Sequence, residues 1–161
     1  MPREIRSYDY VNHPYERVRE ALRADPAGVF RAATKAASSR AEALAADLRV
    51  TIAGVEVGRA VAITVHEITE RPREATSPPV TRLELEWEAT QSPRLFPFMR
   101  AVLAIYPLTP SETQLDLSGQ YEPPMGALGG AVDTLVGHRI AEASVHRFLT
   151  DVGAHLRASL A

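Results

Sequence analysis

The sequence predicts an α+β fold, with helical segments near both ends of the chain and an antiparallel β-sheet between them. Apolar residues recur at helical spacing soon after the N-terminus and again after Pro123-Pro124. Between residues 48 and 121 they alternate with polar residues, which is the period of strands with one buried face. Helices segregated from a run of strands are typical of α+β domains.

The first 40 residues predict a strand followed by two short helices. Residues 3–12 alternate loosely and predict the strand, and a helix is expected from about 14 to 24. Asp25-Pro26 then starts a second helix, because Asp caps a helix N-terminus and Pro is tolerated at the first helical position. We expect this second helix to end near Ser38-Ser39.

The middle of the chain predicts a meander of about five further strands. The clearest is 82–89, in which Leu83, Leu85 and Trp87 alternate with glutamates, so that one face of the sheet is predicted to be solvated. A proline-rich loop is expected between Arg71 and Pro79. The strands are expected within 48–52, 55–65, 82–89, 95–108 and 113–121.

A long helix is predicted from about Met125 to residue 160, and its apolar stripe is interrupted by polar residues. His138, Arg139, Glu142 and His146 fall within an arc of roughly 100° that overlaps the stripe. Two interpretations stay open. The four residues form a polar patch that lines a cavity, or the buried face of the helix rotates gradually along its length.

As a patch, these residues allow two kinds of chemistry. Arg139 could anchor a carboxylate or enolate, and Glu142 could pair with Arg139 or orient His138 for acid–base catalysis. His138, Glu142 and His146 also carry metal-ligating groups. The two histidines lie about 12 Å apart along a helix axis, so we expect no metal site.

Length and composition indicate one globular domain, 1–161, with 45% apolar residues. The net charge of −2 gives no field that would attract nucleic acid, and the absence of cysteine excludes disulfides and thiol nucleophiles. No stretch is apolar over the roughly 18 residues that a membrane span needs. The N-terminus lacks the apolar run of a signal peptide, so we expect a cytoplasmic location.

Three segments add a family resemblance: Leu95-Phe-Pro-Phe-Met, Ile105-Tyr-Pro-Leu and Gly119-Gln-Tyr-Glu-Pro-Pro-Met-Gly-Ala-Leu-Gly. With the order of elements, they resemble a bacterial branch of the START-like, birch-pollen-allergen-like helix-grip superfamily (SRPBCC), which includes polyketide cyclases and lipid-transfer domains. The resemblance implies a curved antiparallel sheet of about six to seven strands wrapped around the C-terminal helix. The resemblance also implies a cavity between sheet and helix that holds a hydrophobic ligand.

The resemblance implies that residues facing the inside of the curved sheet line the cavity and are candidate ligand-binding residues. Trp87, Met99 and Tyr121 are the preferred ones, because amphipathic rings and a flexible thioether suit a variable apolar ligand. The alternative is that these residues fill a core, since pocket and core share the same alternation. The full set is Leu85, Trp87, Met99, Leu103, Leu117 and Tyr121 from strands and Leu128, Val132, Leu135 and Arg139 from the helix.

The expected function is non-covalent binding, for transport or sensing, of a small hydrophobic or aromatic molecule, without cofactor or metal. One alternative is an enzyme of the cyclase or aromatase type, in which His138, Arg139 or Glu142 assists proton transfer. A second alternative is a protein-interaction module whose cavity is filled by its own side chains. Assembly into a homodimer is left open.

Overall fold

A computed structural model describes residues 3–26, 28–30, 61–89, 98–122 and 131–161. Side chains are described for 4–26, 28–30, 65–86, 100–120, 142, 145, 146 and 148–161. The described strands are β1 (Arg3–Val11), β2 (Val61–Arg71), β3 (Val80–Ala89), β4 (Phe98–Thr109) and β5 (Glu112–Glu122). The helices are α1 (Tyr15–Ala24) and α2 (Ala131–Leu160), and residue 26 begins a further helical segment.

The five described strands form one antiparallel sheet in the order β1-β5-β4-β3-β2. The predicted α+β class is therefore confirmed, and β1, α1 and β3 to β5 lie within a few residues of their predicted positions. The predicted strand 48–52 and the predicted end of the second helix lie outside the described residues. So does the part of the long helix expected before residue 131.

Strand β2 continues beyond the apolar alternation from which it was predicted. A register shift between Val65 and Glu67 leaves His66 as an extra residue opposite β3. A bulge of this kind adds one residue to a strand and reverses the parity that follows it. The clear alternation therefore stops at Val65, although the strand runs on to Arg71.

The core lies between one face of the sheet, called the inner face here, and the two helices. On α2, Val145, Leu149, Val152 and Leu156 share one face at helical spacing and are buried, and Phe148 joins them. Burial of this stripe removes apolar surface from water and is the main force that holds the helix on the sheet. The other core residues are Ile5, Val11, Tyr15, Val18, Leu22, Val29, Phe30, Leu83, Leu85, Ala101, Leu103, Ile105, Leu115 and Leu117.

Polar contacts join the C-terminal end of α2 to β1 and α1. The Arg157 guanidinium donates to the carbonyl of Tyr10 at 2.5 Å and lies 3.6 Å from a carboxylate oxygen of Asp9. A Cβ at position 153 would lie 2.5 Å from the same Asp9 carboxylate, so Gly153 permits this close approach. Arg17 donates to the carbonyl of Leu160 at 2.7 Å.

Candidate ligand-binding site

Three of the predicted ligand-binding residues occupy one row across the sheet. Trp87 pairs with Met99, and Met99 pairs with Tyr121, so the row crosses β3, β4 and β5 in register. Residues paired in this way have Cβ atoms about 5 Å apart. Their side chains are outside the described part of the structure, and their backbone register is what brings the three positions together.

The next row on the inner face has little side-chain bulk at its centre. Leu85 pairs with Ala101, Ala101 with Gly119, and Gly119 with Ile5. A Cβ at Gly119 would lie 2.9 Å from the carbonyl oxygen of Arg100 and 3.0 Å from Cβ of Ala101. Glycine is required at position 119 because the two strands approach closely there. Since Ala101 and Gly119 have little or no side chain, the sheet surface is shallow at the centre of this row.

The third row is filled with leucine. Leu83, Leu103 and Leu117 follow one another across β3, β4 and β5 and are buried to 0%, 0% and 1% exposure. Leu103 and Leu117, predicted as ligand-binding residues, thus belong to the packed core, as does Leu85 in the neighbouring row. Any contact they make with a ligand stays a prediction.

The helical candidates are only partly described. Leu128 lies outside the described residues, and Val132, Leu135, His138 and Arg139 lie on α2 without described side chains. The side chains of Glu142 and His146 are exposed, whereas Val145 between them is buried. Within the residues whose side chains are described, no group of three or more His, Asp or Glu could hold a metal.

The outer face of the sheet carries a charged groove that the sequence did not predict. It has a volume of about 840 Å³ and runs between two rows of outward-facing side chains. His66 hydrogen-bonds to Glu86, and Nε of Arg100 lies 3.4 Å from the other oxygen of that carboxylate. The hydrogen bond and charge of His66, followed by those of Arg100, hold the pKa of Glu86 below its ordinary value against partial desolvation.

His66 is exposed. Its contact with Glu86 depends on the bulge in β2, and the contact of Glu86 with Arg100 depends on the register of β3 with β4. Neither feature has a signal in a single sequence, because residues far apart in the chain meet only once strands are paired.

A second groove, of about 560 Å³, lies where α1 begins, beside the β2–β3 loop and the β4–β5 turn. On one wall, Nε and one terminal nitrogen of Arg19 each donate to a different oxygen of Glu70 at 2.8 Å. This forked hydrogen bond and the nearby positive charges of Arg19 and Arg23 lower the pKa of Glu70 despite some desolvation.

The Arg19–Glu70 pair predicts a loss of stability in acid. Because the folded state lowers the pKa of Glu70, its contribution is complete above the ordinary carboxyl pKa of 4.5 and is lost as the pH falls through the folded-state pKa. We expect Glu70→Gln to lower the urea midpoint at pH 7, and this difference from the unsubstituted chain to shrink below pH 4.5.

The control for this experiment is Glu84→Gln. Glu84 is exposed on β3 and forms no ion pair within the part of the chain that the structure describes. Its substitution should leave the urea midpoint unchanged at both pH values. A Glu70→Gln difference that is the same at pH 7 and pH 3 would contradict the assignment.

The chain was compared with family models, curated proteins and solved structures, and only the solved structures gave matches. No family model matches the chain, and no curated protein does. Among solved structures, the chain is similar to the Zhui aromatase/cyclase from Streptomyces sp. R1128, with a TM-score of 0.55 and 13% identity over 100% of this chain and 97% of that one.

Two further structures have lower scores. The protein Ara h 8.0201 has a TM-score of 0.47 and 6% identity, with 98% of this chain and 99% of that one covered. Norcoclaurine synthase from Thalictrum flavum, in complex with dopamine and hydroxybenzaldehyde, has a TM-score of 0.43 and 10% identity over 99% and 86% of the two chains.

Within the described ranges, no helix is long and apolar enough to span a membrane. By its architecture and its similarity to the aromatase/cyclase, the chain has the helix-grip fold that its sequence predicted.

Proposed function

We propose that this protein binds a small hydrophobic or aromatic molecule non-covalently between the inner face of its sheet and α2. The observation that carries the proposal is the register of Trp87, Met99 and Tyr121 beside the shallow row of Ala101 and Gly119. We propose that the large residues of this row and the small residues at the centre of the next row form a concave, mostly apolar surface. Ligand pockets commonly have this character.

The packing of α2 supports this position for the ligand. Its C-terminal half buries Phe148, Leu149, Val152 and Leu156 in the same core as the leucine row, so that end of the sheet is filled. From Gly153, beside Asp9, the helix extends about 33 Å back to its first described residue. This length is sufficient to cover the row of Trp87, where we propose that the ligand lies.

We propose that α2 binds the polar end of the ligand. In the proposal, Val132 and Leu135 contact the apolar body of the molecule, and Arg139 binds an anionic or enolate oxygen. A guanidinium forms paired, charge-assisted hydrogen bonds to such groups. The preferred ligand class is therefore an apolar or aromatic molecule with a single acidic or carbonyl end.

The test uses the only tryptophan in the chain, Trp87, as a reporter. We expect native mass spectrometry of the purified protein to show one small molecule per chain, to be identified after extraction. Where the protein is isolated empty, titration with fatty acids and polycyclic aromatic acids should shift or quench the Trp87 emission. An empty protein with unchanged emission and unchanged melting temperature across the panel would overturn the proposal and favour an interaction module with a filled core.

The same preparation distinguishes binding from catalysis. A binder returns its ligand with unchanged mass and unchanged chromatographic retention after incubation, because a cyclised isomer can have the same mass. In that case the double variant His138→Ala, Glu142→Gln should retain most of the affinity. The similar aromatase/cyclase makes cyclisation the reaction to look for. A product that forms with the unsubstituted chain and not with the double variant would favour an enzyme of that type.

A further inference from the structure

The groove beside the start of α1 is lined partly by proline rings and partly by charged side chains, and it is separate from the proposed site on the inner face. Proline rings have a fixed φ and no backbone N–H, so the proline part of the lining is apolar and already formed. Tyr15 adds a buried ring whose hydroxyl lies 2.6 Å from the hydroxyl of Thr81. The prolines that line the groove are Pro14, Pro72, Pro79, Pro107 and Pro110.

The two carboxylates in the groove wall already have cationic partners. Glu70 accepts the forked hydrogen bond of Arg19 and lies 3.4 Å from Arg23. Glu16 lies 3.2 Å from Arg19. Neither carboxylate therefore needs a cation from outside, and the two repel an incoming anion less than free carboxylates would.

Two further arginines that line the groove, Arg71 and Arg73, have no such partner among the described residues. Arg71 makes one long hydrogen bond, 3.4 Å, to the carbonyl of Pro78. Neither Arg71 nor Arg73 forms an ion pair with any residue described in the structure, and the carboxylate of Glu74 does not line the groove. With Arg19 and Arg23 balanced by the carboxylates, the groove carries an excess of positive charge.

We propose that this groove binds a small planar aromatic carboxylate. The aromatic ring packs between the proline rings and Tyr15, and the carboxylate accepts hydrogen bonds from Arg71 and Arg73. The volume of about 560 Å³ lies in the range of small-molecule sites. A simple anion should bind more weakly because it cannot contact the proline and tyrosine rings. A neutral aromatic molecule should bind more weakly because it cannot pair with the charges of Arg71 and Arg73.

The experiment is a titration of the 161-residue chain with 2-naphthoate, followed by calorimetry and by ¹H–¹⁵N chemical shifts. We expect saturable binding with shifts concentrated at the amides of Tyr15, Arg73 and Thr109. The double variant Arg71→Ala, Arg73→Ala should weaken binding by about tenfold or more, since it removes both charge-assisted contacts. Both side chains are exposed, so the fold should not change.

Arg82→Ala is the matched control. Arg82 is an exposed arginine on β3 that forms no ion pair within the described ranges and does not line the groove. Its loss should leave the affinity for 2-naphthoate unchanged. Two further probes separate ring from charge: 2-naphthalenemethanol and acetate should each bind at least about tenfold more weakly than 2-naphthoate.

Three results would overturn the proposal: no saturable binding, equal affinity for one of the two partial probes, or unchanged affinity in the double arginine variant. A second outcome is that 2-naphthoate changes the Trp87 emission and that the arginine substitutions alter neither this change nor the affinity. In that case 2-naphthoate occupies the inner-face site instead. That result would overturn the groove and support the function proposed above. Saturable binding lost with the arginines, with Trp87 emission unchanged, would support the groove whatever the fate of the inner-face site.

Discussion

Replacement of Phe148 by alanine is expected to lower the free energy of unfolding by about 3–5 kcal/mol. The side chain is fully buried, and its ring centroid lies 5.8 Å from that of Phe30. Truncation removes the transfer free energy of the ring, and the sheet on one side cannot relax enough to fill the space. The measurement is urea denaturation followed by far-ultraviolet circular dichroism, with the slope compared between the two proteins.

Leu108→Ala is the control for this substitution. Leu108 is 50% exposed on β4, so its truncation should change the free energy of unfolding by no more than about 0.5 kcal/mol. Equal effects of the two substitutions would contradict the assignment of Phe148 to the core. So would a loss below about 1 kcal/mol for Phe148→Ala, because a cavity of this size in a packed core costs more.

Ala101→Leu is expected to lower the affinity for the inner-face ligand by about tenfold or more while the free energy of unfolding changes by less than about 1 kcal/mol. Ala101 is 6% exposed in the shallow row next to Gly119. A leucine there would project into the space that the proposed ligand occupies. The measurements are a fluorescence titration monitored at Trp87 and urea denaturation of the same protein.

The stability readout discriminates between a cavity and a filled core. If the shallow row is packed against the chain's own side chains, the added carbons overpack it and cost about 1–3 kcal/mol. Val102→Leu is the control, because Val102 neighbours Ala101 and lies on the outer face of the same strand. Marked destabilisation by Ala101→Leu, with no ligand effect and with Val102→Leu neutral, would favour the interaction module.

Local patterns were sufficient to predict most of the fold. The alternation of Leu83 and Leu85 with Glu84 appears in the structure as buried and exposed positions of one strand. The spacing of Val145 and Leu149 likewise appears as the buried side of α2. Both predictions succeed because the period of the backbone decides which residues share a face, and the apolar face is the one removed from water.

The candidate site was predictable in part. Trp87, Met99 and Tyr121 were chosen as separate residues by parity and chemical type, and strand register places their backbones in one row. Leu103 and Leu117 have the same parity and are core residues. Alternation reports the face on which a residue lies, and it carries no information on whether a helix, a neighbouring side chain or a ligand covers that residue.

The sequence by itself determined the α+β class, the order of its elements and which side of each strand is apolar, because these follow from periodicities within a few consecutive residues. Only the tertiary structure decided the bulge at His66, the shallow row of Ala101 and Gly119 and the two grooves. Each of these depends on which strands pair, in which register, and on which loops meet at one end of the sheet. Such contacts join residues distant in sequence, so their geometry exists only once the chain has folded.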